Sequence, residues 1–135
     1  MAEATPIDLD ISEVMIVGTI PCGPGELPLD DGVWTSLESE LSKRPEFLRF
    51  VRVKGTSMKG ARIYPGDIIA YDISDTRPSE GDIVVANITS IGYTVKEFKG
   101  GMLVSRYGKK KQAFALGMDA EILGVMVCQI IKRRR

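Results

Sequence analysis

The sequence predicts a mainly β protein: a compact antiparallel β domain with one or two short helices and an extended N-terminal arm. Three observations predict it. From Phe47 onward, short runs rich in β-branched residues recur with glycine-containing turns between them. Helix-start signals are few and short. The first 31 residues carry acids, prolines and glycines in place of a regular apolar period.

Taken in order, residues 1–13 are polar and acidic and read as a mobile arm. Val14–Ile20 suits an extended segment, and Pro21-Cys22-Gly23-Pro24-Gly25 forbids a continuing helix or central strand. Thr35 and Glu38 form a capping box for a helix reaching about Lys43, which must end before Pro45. Strands are expected over 47–54, 68–73 and 83–88, the last two each introduced by a Gly-Asp turn. Two more, over 93–99 and 102–107, flank Gly100-Gly101, a hairpin signal. A long apolar run from Ile122 to Ile131 closes the chain ahead of Lys132–Arg135.

At 135 residues this is one domain with a real core. A division into an acidic arm, 1–31, and a body, 32–135, is expected. No apolar run is long enough to cross a bilayer, and no secretory signal is seen. Cys22 and Cys128 have neither disulfide-framework nor metal-ligand spacing, so a reducing cytoplasm and no metal are expected. There is no histidine. That excludes Ser-His and Cys-His nucleophiles and leaves lysine, a carboxylate or a terminal amine as the base of any hydrolase.

Net charge is zero, yet nine of the 18 acids lie in residues 1–42, where there is no lysine or arginine. An acidic arm is therefore tethered to a basic body. Either the arm is a solvated tail, or attraction biases it to lie on the body in a salt-sensitive way.

The segment Val53-Lys-Gly-Thr-Ser-Met58 carries the most chemistry. Gly55 lets the chain leave a strand, and Ser57 follows where a short helical turn begins. A hydroxyl there can protrude beside free backbone N–H groups, although many such serines only cap a helix. On the 93–99 strand, Thr94, Lys96 and Phe98 share a face. A lysine between those two neighbours can point inward, where burial lowers its pKa by up to about 3–5 units. The alternative is a snorkelling ammonium.

These elements resemble the LexA/UmuD self-cleaving peptidases, a family that includes phage repressor C-terminal domains. The matches are Val53-Lys-Gly-Thr-Ser57-Met58, Ile63-x-x-Gly66-Asp67, Gly81-Asp-Ile-Val-Val-Ala86, Thr94-Val-Lys96 and Ile122-Leu-Gly-Val-Met-Val127, in family order. The resemblance implies a LexA/UmuD peptidase fold with Ser57 as nucleophile and Lys96 as general base. It also implies an oxyanion hole from the backbone N–H groups of Thr56 and Ser57. The scissile bond would join Cys22 to Gly23, a pair similar to the UmuD version. Implied partners are a second copy in a homodimer, a RecA–single-stranded DNA filament as activator and a translesion polymerase subunit. No cofactor, membrane or direct DNA contact is implied.

Cleavage would remove four acids and leave 18 bases against 14 acids. Alternatives are the autopeptidase half of a LexA-like repressor and a non-cleaving dimerisation module. Two departures stand out: Arg62 occupies a position where the family often has glycine, and residues 105–118 lack an Asn-Pro-type turn.

Overall fold

The structure is a computed structural model that describes residues 3–7, 14–16, 33–35, 41–106 and 113–131. Among the described residues the strands are β1 (Ala4–Ile7), β2 (Val14–Ile16), β3 (Val33–Thr35), β4 (Leu48–Val53), β5 (Ile68–Asp72), β6 (Ile83–Ile88), β7 (Gly92–Lys99), β8 (Met102–Val104), β9 (Ala113–Ala115) and β10 (Ala120–Ile130). Eight of them form one antiparallel sheet in the order β1-β4-β5-β10-β6-β7-β8-β9, while β2 and β3 pair separately. The mainly β expectation holds.

β10 explains how a linear strand order yields a cleft. Its first half, Ala120–Val125, pairs with β6, and its second half, Val125–Ile130, pairs with β5. The register slips once in each pairing, between Ile122 and Gly124 and between Met126 and Cys128. Such bulges bend a strand and increase its twist. One strand thus serves two half-sheets. A core of Val51, Val53, Ile69, Tyr71, Val85 and Val95 draws on both halves, with Met58 and Ile63 added from the β4–β5 connection. At about 25 cal/mol per Å² of apolar surface, burial of this kind is the main force holding the halves together.

The β4–β5 connection is fixed at both ends. Val53 N–H donates to the Asp67 carbonyl and Gly66 N–H to the Val53 carbonyl, each at 2.8 Å. The buried Asp67 carboxylate accepts from Tyr64 N–H and from the Gln129 amide of β10, both at 2.9 Å. Between these anchors Lys59–Ala61 makes one 3-10 turn. It ends at Arg62, in the left-handed region at φ 62° and ψ 34°. The family's glycine preference there is thereby explained. The turn survives with arginine, and the Arg62 carbonyl accepts from Gln129 Nε2 at 2.9 Å.

Three expectations change. Residues 1–13 were expected to form a mobile arm, but Ala4–Ile7 is an ordered edge strand, pairing Ala4 with Val53 and Ile7 with Phe50. Ala4 is fully buried, Ile7 packs on Leu48 and Phe50, and Pro6 is tolerated because β1 lies at the sheet edge. The strand expected over 102–107 ends at Val104. Thr35 closes β3, and of the helix expected to reach Lys43 only Leu41 is helical among the described residues, since 36–40 lie outside them. The extended segment expected over Val14–Ile20 is β2 as far as Ile16; its remainder, the Pro21–Gly25 loop, the Lys109–Lys111 cluster and the terminal Lys132–Arg135 also lie outside. The Gly100-Gly101 hairpin holds, both residues having positive φ (61° and 75°), as a type I′ turn demands.

Two substitutions test the Ser57 connection. A Cβ on Gly60 would run into the Arg106 carbonyl, which is backbone and cannot swing aside. Gly60→Ala is expected to cost about 1–3 kcal/mol in urea unfolding, as overpacking does. Arg62→Gly is expected to gain about 0.5 kcal/mol, because relief of the left-handed strain exceeds the added chain entropy.

Candidate active site

Ser57 and Lys96 lie on different half-sheets, and the fold brings them together. Ser57 follows the end of β4, and Lys96 is the fifth residue of β7. Lys96 Nζ lies 3.0 Å from Ser57 Oγ. The Ser57 carbonyl accepts from Arg106 N–H at 2.8 Å, tying the loop to the segment after β8. Beside it Glu97 holds Arg106 through both carboxylate oxygens, at 2.7 and 2.8 Å. Among the described residues, neither Thr56 nor Ser57 donates its N–H to a backbone carbonyl.

Lys96 has no exposed surface. Across the β6–β7 pair it sits opposite Val84, and Thr94 sits opposite Ala86. Cross-strand partners share a face, so two fully buried aliphatic residues flank the lysine and threonine. Burial therefore pulls the Lys96 pKa below its ordinary value, and the nearby Glu3 carboxylate only partly restores it. Of the two orientations the strand pattern leaves open for Lys96, inward or snorkelling, the structure has the inward one.

A carboxylate joins Ser57 and Lys96 at the site. Glu3 Oε2 accepts from Lys96 Nζ at 2.5 Å, from Thr94 Oγ1 at 2.6 Å and from Ser57 Oγ at 2.8 Å. Thr94 Oγ1 in turn accepts from Lys96 Nζ at 2.7 Å. The amine thus directs three N–H groups at Glu3, Ser57 and Thr94, which is the full donor capacity of an ammonium. Burial raises the Glu3 pKa, but hydrogen bonds from Lys96, Thr94 and Ser57 and the lysine charge outweigh it, so the carboxyl lies below its ordinary 4.5.

Residues 7–107 match the sequence pattern of the family described as Peptidase S24-like. The chain belongs to that family. No curated protein matches it. The S24-like peptidases are the LexA/UmuD-type family that the motifs resemble, and they are serine peptidases. The eight-stranded antiparallel sheet fits an S24-like peptidase. No described helix is long and apolar enough to cross a membrane, and no described cluster of Cys, Asp and Glu could hold a metal.

Of the residues singled out from sequence, Ser57 and Lys96 meet, Thr56 precedes Ser57 and accepts from Lys59 N–H at its carbonyl, and Cys22 and Gly23 lie outside the described residues. Sequence reasoning missed Glu3, which counted only as one arm acid among nine. Thr94 figured only as a motif residue and face neighbour of Lys96. The charge asymmetry was the available signal for Glu3, since an acidic arm tethered to a body with a buried amine has a specific place to bind.

Thr94→Val keeps the shape and deletes a hydroxyl that bridges Lys96 and Glu3. It is expected to cost about 1–3 kcal/mol in urea unfolding at pH 7, because buried polar groups lose partners. A change below 0.5 kcal/mol would mean the hydroxyl is dispensable.

Proposed function

We propose that this chain is a self-cleaving serine peptidase whose dyad, Ser57 and Lys96, cuts the bond between Cys22 and Gly23. The observation that carries the reading is a fully buried lysine amine 3.0 Å from a serine hydroxyl at the end of a strand. In a protein without histidine, this is a base matched to a nucleophile.

In the reaction, Ser57 Oγ attacks the Cys22 carbonyl carbon while neutral Lys96 takes the hydroxyl proton. The tetrahedral oxyanion is held by the N–H groups of Thr56 and Ser57. As the C–N bond breaks, Lys96 hands the proton to the Gly23 nitrogen. Water, deprotonated by the same amine, then hydrolyses the acyl ester and regenerates the serine. Burial serves this chemistry by lowering the amine's pKa toward the working range.

The Cys-Gly pair and the acidic arm favour a UmuD-like role: an SOS-response protein cut under the influence of a RecA–single-stranded DNA filament and then serving a translesion polymerase in the cytoplasm. In this reading 1–31 is the leader and 32–135 the peptidase domain. The filament acts by binding the cleavable arrangement better than the resting one. Homodimerisation fits β10, where no described strand pairs with the second edge of 126–130 and where Val127 and Ile131 are exposed.

Alkaline incubation followed by mass spectrometry tests the chemistry. Fragments 1–22 and 23–135 are expected. Because the Lys96 pKa is lowered, the neutral fraction and the rate rise with pH and level off before the ordinary lysine value of 10.5. Ser57→Ala and Lys96→Ala should each slow cutting at least about 100-fold. Cutting that persists in Ser57→Ala would overturn the dyad, and an intact wild-type chain would make this a non-cleaving module. A RecA–DNA filament that leaves the rate unchanged would remove the UmuD-like role.

A further inference from the structure

Residues 3–7 occupy the groove between the two half-sheets in the manner of a bound peptide. The strand adds to the edge of β4 from Ala4 to Ile7. One residue earlier the backbone is gripped from both sides. The Glu3 carbonyl accepts from Lys54 N–H at 2.8 Å and Gly55 N–H at 3.2 Å, and Glu3 N–H donates to the Tyr93 carbonyl of β7 at 3.0 Å. Pairing of an extended segment with exposed strand edges is a general mode of peptide recognition. The Glu3 side chain then passes close over Gly55, where an added Cβ would sit 3.3 Å from its Cβ and Cγ, and ends among Ser57, Thr94 and Lys96.

We propose that residues 3–7 are a built-in competitor of the scissile segment, with the Glu3 carboxylate plugging the Ser57–Lys96 site. The inference rests on the reading of those two residues as a dyad. It goes beyond the family match, which begins at residue 7 and leaves Glu3 outside.

The plug acts on each requirement of the reaction. The Ser57 proton is directed at the carboxylate, so it is not presented to the amine. An anion 2.5 Å from Nζ favours the ammonium, which has no lone pair to accept a proton. The strand edges that would align another peptide are already paired. Cleavage therefore requires residues 3–7 to leave before Cys22-Gly23 enters, and the resting chain is restrained by its own N-terminus. The site is a carboxylate site in this state, and the occupant is a segment of the same chain.

The experiment compares self-cleavage of wild type, Glu3→Ala and a chain lacking residues 2–7, by mass spectrometry at alkaline pH. Glu3→Ala leaves the pairing residues Ala4–Ile7 in the chain and removes the side-chain carboxylate that anchors them; the deletion removes the whole competitor. Both are expected to be cut between Cys22 and Gly23 at least about fivefold faster, as more of the population has a free site. An unchanged rate would overturn the plug. A slower rate would overturn it too, since Glu3 would then be positioning Lys96 for the reaction. If no chain is cut, the dyad reading fails, and amide hydrogen exchange decides the plug separately. In a Ser57→Ala background, Glu3→Ala should speed exchange at Lys54 and Gly55 at least about tenfold as the segment undocks. Equal exchange with and without the carboxylate would overturn the proposal.

Discussion

The amine of Lys96 has no water to solvate it, and everything at this site follows from how that is compensated. An isolated ammonium in such surroundings is expensive, and proteins either neutralise it or supply a counter-charge. Here both solutions are within reach of one residue. With Glu3 beside it, Lys96 is a hydrogen-bonded cation whose N–H groups all have acceptors. With Glu3 withdrawn, the aliphatic wall of Val84 and Ala86 remains, and the neutral amine is the cheaper form. A single carboxylate therefore selects between a paired cation and a neutral amine. The charge state of the lysine is coupled to the position of the N-terminal strand, as linkage requires.

The sheet makes this coupling possible. Because β10 passes from β6 to β5 around Val125, β4 and β7 come to face one groove although they are not sheet neighbours. β1 spans that groove, paired to β4 along its length and bonded to β7 through Glu3. Ser57 is held through its carbonyl by Arg106 N–H, and the next residue, Met58, is anchored in the core, almost fully buried. Ser57 is thus carried on a connection whose two ends, at Val53 and Asp67, are bonded to each other. That rigidity keeps a serine and a lysine 39 residues apart within hydrogen-bond distance.

Much of this was legible in the sequence, for identifiable reasons. β6 is strongly β-branched and follows the Gly81-Asp82 turn, and β7 ends at Gly100-Gly101, so their limits agree with expectation to within a residue. The company of Thr94 and Phe98 left both an inward and a snorkelling Lys96 open, and the Thr94-Val-Lys96 motif, in register with the other family motifs, is what singled it out. β1 was not legible. Ala4-Thr-Pro-Ile7 contains a proline and too few apolar residues for any local pattern to mark it, and it becomes a strand only because β4 offers an unpaired edge. Arg62 shows the converse. The motif led to an expectation of glycine, and the backbone is indeed left-handed there, so tertiary anchoring overrides the residue's own preference.

The competition for the groove is close to balanced by chain connectivity, which leaves the contacts to decide it. Glu3 and Ser57 are 54 residues apart, whereas Gly23 is 34 residues from Ser57. Loop-closure entropy grows only with the logarithm of length, so the nearer segment is favoured by no more than about 0.4 kcal/mol. The ion pair, two further hydrogen bonds to the carboxylate and the burial of Ala4 easily outweigh such a margin on the side of residues 3–7. Once a partner or a change of conditions removes that advantage, tether length alone does not oppose entry of the Cys22-Gly23 segment. Restraint in this chain thus resides in a few directional contacts at one edge, and a short-range switch of that kind needs only β1 to leave the sheet while β4 to β10 keep their pairing.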